Sequence, residues 1–370
     1  MLETAPDEGE DRLADGIGMA LSRRFFERCV QPILERYDPQ LRYSAARIGD
    51  GSEVLGFDTT MSADHNYGPA LQLLVSEGDF AQAPALMAAL EAELPETFEG
   101  WAVRYPATGR PAADVDGMLG STHGVELFTL SAWYRRQLAA DIPFPATAAD
   151  WLAIPEQVLL TVTAGAVFRD DSGELGALRE RLNYLPRDVW LAKLAAQWNR
   201  IGEEQAFVGR TGDNGDALGS QVLAGRLVRD VMRLGFLIER RYAPYPKWFG
   251  AAFARLDCFG RFEPYLSGAL AARDWRQREA ALAAAYRHAA ELQIEHHIPG
   301  AIAPVIGPFH ERPFTVINAD AISAGLVAAI ENPELREVPF GAVDQWVDST
   351  AVLSKPNRAM GAQAGVSRRP

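Results

Sequence analysis

The sequence predicts an α+β protein: an N-terminal mixed sheet with flanking helices, followed by an all-α helical bundle. Three observations carry this. Short apolar runs alternate with helical periodicity through the first ~140 residues. From Ala149 to about Arg255 nearly every segment repeats its apolar residues at helical spacing. Beyond Gly300, Pro and Gly punctuate the chain, with one further helix expected over Asp320–Ile330.

Met1–Asp15 holds six acids and one Arg and reads as a solvated tail. Leu21, Phe25, Cys29 and Ile33 recur at i+4 steps, which predicts a helix over Ile17–Tyr37. Leu41–Ile48, Ala70–Val75, Gly100–Tyr105 and Val125–Thr129 are the strand candidates. Phe80–Leu94 reads as a helix stopped by Pro95. Val158–Phe168, Leu175–Asn183, Val189–Phe207, Leu218–Arg241 and Arg273–His297 read as helices, the first group stacking as an antiparallel bundle. The expected division is a tail over 1–15, a first domain over 16–148, a helical domain over 149–354 and a disordered basic tail over 355–370.

Composition bounds function. The formal charge is -13, and the acidic balance persists without the two tails, which argues against broad nucleic-acid binding. No apolar run reaches the ~18 residues a bilayer demands, so no membrane partner and a cytoplasmic location are expected. Cys29 and Cys258 form neither a disulfide framework nor a zinc spacing.

The stretch Gly49–Val75, GDGSEVLGFDTTMSADHNYGPALQLLV, carries the chemistry. Gly51-Ser52 follows an apolar segment and forms a turn whose N–H groups suit an anion. Asp64 and Asn66 stand two apart before a predicted strand, so on an extended backbone both project to one face. Glu126, inside the apolar run Val-Glu-Leu-Phe, supplies a third oxygen ligand from a neighbouring strand. Such a set holds Mg²⁺ or Mn²⁺ against a nucleoside triphosphate, where the ion neutralises charge in phosphoryl transfer. Asp64 and Glu126 are the candidate catalytic acids.

GSEVLGFD followed by SxDHxxGP resembles a bacterial family catalogued as domain of unknown function 4037, grouped with the DNA polymerase β-like nucleotidyltransferases. AGAVFRDDSGELGALRERLNYLP resembles the helix-turn-helix after the catalytic domain of kanamycin-type members. WNRIGEEQAFVGR, LVRDVMRLGFLIERRYAPYPKWFG and VDQWVDSTAVLS also resemble the family. The resemblance implies a nucleotidyltransferase-like sheet, a nucleoside triphosphate as co-substrate, and transfer of a nucleoside monophosphate to a hydroxyl of a small molecule or protein. The acceptor is expected between the domains. Lys247, in Pro-Tyr-Pro-Lys-Trp, becomes a phosphate or substrate contact, or a surface lysine packed on an aromatic. Asn66 stands where the superfamily usually has an acid, so the alternative is a silent nucleotide-binding protein that keeps the fold.

Other candidates have plainer readings. Asp58 caps a turn. Asp170-Asp171 precede Ser-Gly and form a turn between helices. Arg229, Arg233, Arg240 and Arg241 pair with acids such as Asp230 and Glu239. His296 and His297 point roughly 100° apart on a helix and do not share a metal. His310 and Arg312, in GPFHERPF, contact a ligand or belong to a structural loop.

Overall fold

The structure, a computed structural model, describes residues 17–58, 68–104, 118, 119, 122–338 and 340–367. The chain forms two compact units. The first comprises residues 1–144 and 158–183, the second residues 145–157 and 184–370. A single boundary near 149 is therefore replaced by a double crossing, in which 158–183 rejoins the first unit.

In the first unit, helix α1 (Ile17–Phe25) passes through one π turn into α2 (Gln31–Tyr37). Next come β1 (Tyr43–Arg47), β2 (Leu71–Val75) and α3 (Ala83–Glu93). A two-residue ribbon, β3 (Thr97–Phe98) and β4 (Trp101–Ala102), stands apart from the main sheet. Then follow β5 (Met118–Leu119), β6 (Val125–Thr129) and α4 (Leu130–Leu138). The chain runs through α5 (Ala148–Ala153) in the second unit and returns within α6 (Glu156–Thr163). β7 (Ala166–Asp170) and α7 (Glu174–Arg181) complete the first unit.

The main sheet has the order β5-β6-β2-β1-β7. It is mixed: β2 and β6 are parallel, and every other pairing is antiparallel. The run LQLLV, apolar but for Gln72, suits a central strand, and all five of its residues are buried. Phe25, Val30, Ile33, Leu71, Leu73, Leu90 and Leu127 meet in one core between α1–α3 and the sheet.

The structure corrects the helix expected over Val158–Phe168 and the helix-turn-helix built on it. Helix α6 ends at Thr163, Gly165 turns with φ +77°, and the next residues form an edge strand on β1. A Cβ on Gly165 would lie 2.1 Å from the Arg47 carbonyl oxygen, so close backbone approach demands glycine there. Phe168 stacks on Phe26 at 5.8 Å. Asp170 and Asp171 fasten the strand rather than join helices. Asp170 accepts from Ser44 Oγ at 2.7 Å, and Asp171 accepts from the Tyr43 N–H at 3.1 Å.

The second unit is helical, with α8 (Arg187–Glu204), α9 (Phe207–Asp213), α10 (Ala217–Ile238), α11 (Pro246–Phe253), α12 (Phe259–Ala271) and α13 (Trp275–Glu295). Asp216 and Asp274 accept backbone N–H groups at the starts of α10 and α13. The unit is not all-α. A hairpin, β8 (Ile306–Phe309) and β9 (Arg312–Ile317), follows, and it contains His310 at its turn and Arg312 in its ladder. Helices α14 (Ala319–Ala328), α15 (Val343–Trp346), α16 (Thr350–Leu353) and α17 (Pro356–Ser367) close the chain. Helix α17 overturns the expected disorder of 355–367. Ala359 is buried, and the Trp346 indole N–H donates to Gln363 at 3.2 Å.

The core of this unit contains charge. The Lys193 ammonium, 1% exposed, lies 2.6 Å from Glu156 and 3.1 Å from Asp344. Burial works against the Lys193 charge, but Asp344 and Glu156 outweigh it and hold the ammonium above its ordinary range. Burial pushes Glu156 up, whereas Lys193 and Arg233 hold Asp344 down against the same burial. No helix among the described residues is long and apolar enough to cross a membrane.

Candidate functional site

One end of the first unit's sheet holds the Gly51-Ser52 turn and Glu126. Strand β1 arrives there, β2 and β6 depart from it, and β1–β2 pairing is antiparallel while β2–β6 is parallel. Register places Gln72 opposite both Ala46 of β1 and Glu126 of β6. Gln72 is buried, and its amide joins the two sides. Its Oε1 accepts from the Ile48 N–H at 3.1 Å, and its Nε2 donates to Glu126 Oε2 at 3.0 Å. The Gly49–Ser52 turn, which follows Ile48, is thereby linked to Glu126 through a single side chain.

The turn is shaped from below. Gly49 and Gly51 have φ of +92° and +150°. Arg47, 11% exposed, pairs with Glu53 and donates to the Asp50 carbonyl at 3.1 Å. Residues 51–57 close on themselves, with the Phe57 N–H reaching Ser52 O at 2.8 Å. The N–H groups of Gly51, Ser52, Glu53 and Val54, and the Ser52 hydroxyl, donate to no acceptor among the described residues. Consecutive undirected N–H groups are what an anion-binding turn presents.

Asp64 and Asn66 lie outside the described residues, as does His65. Strand β2 begins at Leu71, so they precede it by several residues rather than opening it. The flanks of their segment are both tied to α1. Asp58 accepts from the Gly18 N–H at 2.8 Å, and the Ala70 N–H donates to Ser22 Oγ at 3.3 Å. Asp58 thus caps α1. Gly124 supports the same end of the sheet: a Cβ there would meet the Pro69 carbonyl oxygen at 2.0 Å.

Glu126 is on the strand next to β2, as expected, with its side chain 22% exposed. Its Oε1 lies 3.3 Å from Arg136 of α4, whose guanidinium stands 5.4 Å from the Phe128 ring centroid. Among the described residues no group of three His, Cys, Asp or Glu side chains is placed to hold a metal. Of the three expected ligands only Glu126 is described. Gln72, Arg136 and the Arg47–Glu53 pair were missed in the sequence. The signal for Gln72 was there: one amide inside an apolar strand has to hydrogen-bond.

Lys247 belongs to the second unit. It is exposed, with its ammonium 4.8 Å from the centroid of the Trp248 ring. It packs on its neighbouring aromatic.

Residues 151–249 match the family described as Domain of unknown function (DUF4037). The DUF4037 match runs from α5 into α11 and includes neither Ser52 nor Glu126. A crystal structure of a nucleotidyltransferase-like protein from Exiguobacterium sibiricum is similar over 85% of this chain and 88% of that one, at a TM-score of 0.34 and 12% identity. No curated protein matches the sequence significantly.

Proposed function

We infer that this chain is a metal-dependent nucleotidyltransferase, moving a nucleoside monophosphate from a nucleoside triphosphate to a hydroxyl of a small molecule. One observation carries the reading: Gln72 ties the Gly49–Ser52 turn to Glu126 at the sheet end where the Asp64 segment enters β2. In this reading the N–H groups of residues 51–54 and the Ser52 hydroxyl hold the outer phosphates. Asp64, Asn66 and Glu126 would hold Mg²⁺, for which Glu126 would turn from Arg136. The ion would supply charge neutralisation on the phosphates. The acceptor oxygen bonds to the α-phosphorus, the bond to the bridging oxygen breaks, and a carboxylate of Asp64 or Glu126 takes the hydroxyl proton.

A second reading has its own support. Both oxygens of Glu126 are engaged, by Gln72 and Arg136, and Asn66 brings no charge. A protein that binds nucleotide without turnover fits those features. Calorimetry with ATP and MgCl₂, run beside a pyrophosphate-release assay, separates the two, since binding without release favours the second. Ser52→Ala removes one donor and weakens ATP by about 1–2 kcal/mol. Unchanged affinity in that variant shows that the turn does not hold phosphate.

A further inference from the structure

The second unit contains two adjoining cavities. One, of about 230 Å³, is lined by Arg200, Arg226, Arg229 and Arg233. The other, of about 270 Å³, has Val228, Met232, Phe249 and Leu353 on its wall. Arg229, Arg233 and Asp344 line both, so the chambers share one boundary.

Four arginines share the wall of one hollow with three of their acid partners, Asp230, Asp344 and Asp348, in a chain of charge -13. Among the described residues each arginine forms an ion pair with one acid. Arg200 Nε meets Asp230 at 3.0 Å, Arg226 Nη2 meets Glu204 at 2.9 Å, Arg233 Nη1 meets Asp344 at 3.4 Å, and Arg229 Nη1 meets Asp348. A guanidinium carries five N–H donors in a planar fork, and each acid occupies only part of one. The other N–H groups meet no protein acceptor among the described residues, and none of them is sealed from solvent. The two innermost acids also serve other groups: Asp230 accepts from Gln197, and Asp344 from Lys193. Asp348, the partner of Arg229, is 73% exposed and can yield its place.

We propose that the two chambers form one site for a small oxyanion joined to an apolar, ring-sized group. The phosphate or carboxylate lies against Arg229 and Arg233, one turn apart on α10, which can grip it through paired N–H bonds. The apolar part enters the second chamber against Met232, Phe249 and Leu353. This site is independent of the nucleotidyl-transfer reading and of the Ser52 turn.

The test is calorimetry on the full chain with phenyl phosphate, phenylacetate and inorganic phosphate as probes. One aromatic probe binds at one site per chain, at least about tenfold tighter than inorganic phosphate, and the tighter of the two identifies the head group. Arg229→Gln weakens it about tenfold or more, the effect of losing charged hydrogen bonds. Ser52→Ala leaves it unchanged. Equal, weak binding of all three probes overturns the proposal, as does indifference to Arg229→Gln. Loss in Ser52→Ala with retention in Arg229→Gln assigns the anion to the turn and also overturns it. Should Arg229→Gln unfold, Asp348→Asn decides: it frees the Arg229 fork and tightens the aromatic probe, and a weaker or unaltered affinity counts against the site.

Discussion

Replacing Gln72 by leucine should loosen the candidate site while keeping the sheet. Leucine matches the volume of the side chain, so packing in β2 is retained. What is lost is the acceptor for the Ile48 N–H, at a position where Ile48 is 1% exposed, and the donor to Glu126. An orphaned buried N–H costs about 1–3 kcal/mol. The lost bond to Glu126 adds less, because that carboxylate is partly solvated and keeps Arg136. Freedom from burying an amide offsets a fraction, leaving a net loss of about 1–3 kcal/mol. Gln72→Glu is the sharper variant. It keeps the acceptor for Ile48 but sets a second carboxylate about 3 Å from Glu126. Two carboxylates so close cannot both ionise without cost, and one binds its proton more tightly in the folded state. The stability of Gln72→Glu relative to the parent therefore rises as pH falls from 8 toward 5, whereas that of Gln72→Leu stays flat. Urea unfolding across this range measures both. A Gln72→Glu deficit that does not change with pH refutes the bridge between turn and strand.

Lys193→Met leaves Glu156 and Asp344 buried without their ammonium, and the loss should reach about 3–5 kcal/mol near neutral pH. The deficit shrinks in acid, because the stranded carboxylates take protons in the folded state. In the parent, the raised Lys193 contributes stability that is complete below its ordinary value of 10.5 and is lost as pH rises through the folded value. Urea unfolding of parent and variant from acid to alkaline pH reads both signs. Truncation after Lys355 removes α17, uncovers the Trp346 indole and lowers Tm by several degrees, while a tail without structural role leaves Tm unchanged.

The sheet was legible where local pattern and burial agree. LQLLV and VELFT are short apolar runs, and both are strands of the central sheet. The long helices α10 and α13 followed from periodicity because each keeps a buried stripe over most of its length, whereas α8 is buried all round from Val189 to Trp198 and was legible from its long apolar content. Ala166–Asp170 was not legible in this way. Its apolar residues continue the helical spacing of α6, and only the free edge of β1, distant in sequence, selects the strand. Helix α17 lacks a clear apolar stripe, and its order depends on contacts with Trp346 and α5. At the candidate site, Gly51, Ser52 and Glu126 were singled out from residue type and spacing alone. The groups that hold them, Gln72, Arg47 and Arg136, act through tertiary hydrogen bonds that no spacing encodes. The arginines of α10 illustrate the same point. Ion pairs within the helix were expected, yet Arg229 and Arg233 reach Asp348 and Asp344 from another part of the chain.

The most direct test of the central claim is pyrophosphate release from ATP and MgCl₂ by the parent, Asp64→Asn and Asn66→Asp, assayed with a panel of small hydroxyl acceptors. On the proposed reading Asn66 is neutral and Asp64 would bear most of the metal charge, so Asp64→Asn should abolish turnover while circular dichroism shows the fold retained. Asn66→Asp restores the second charge and tightens Mg²⁺. Acceptor-dependent pyrophosphate release by the parent, lost in Asp64→Asn, is the predicted result. Release that persists undiminished in Asp64→Asn contradicts the proposed chemistry.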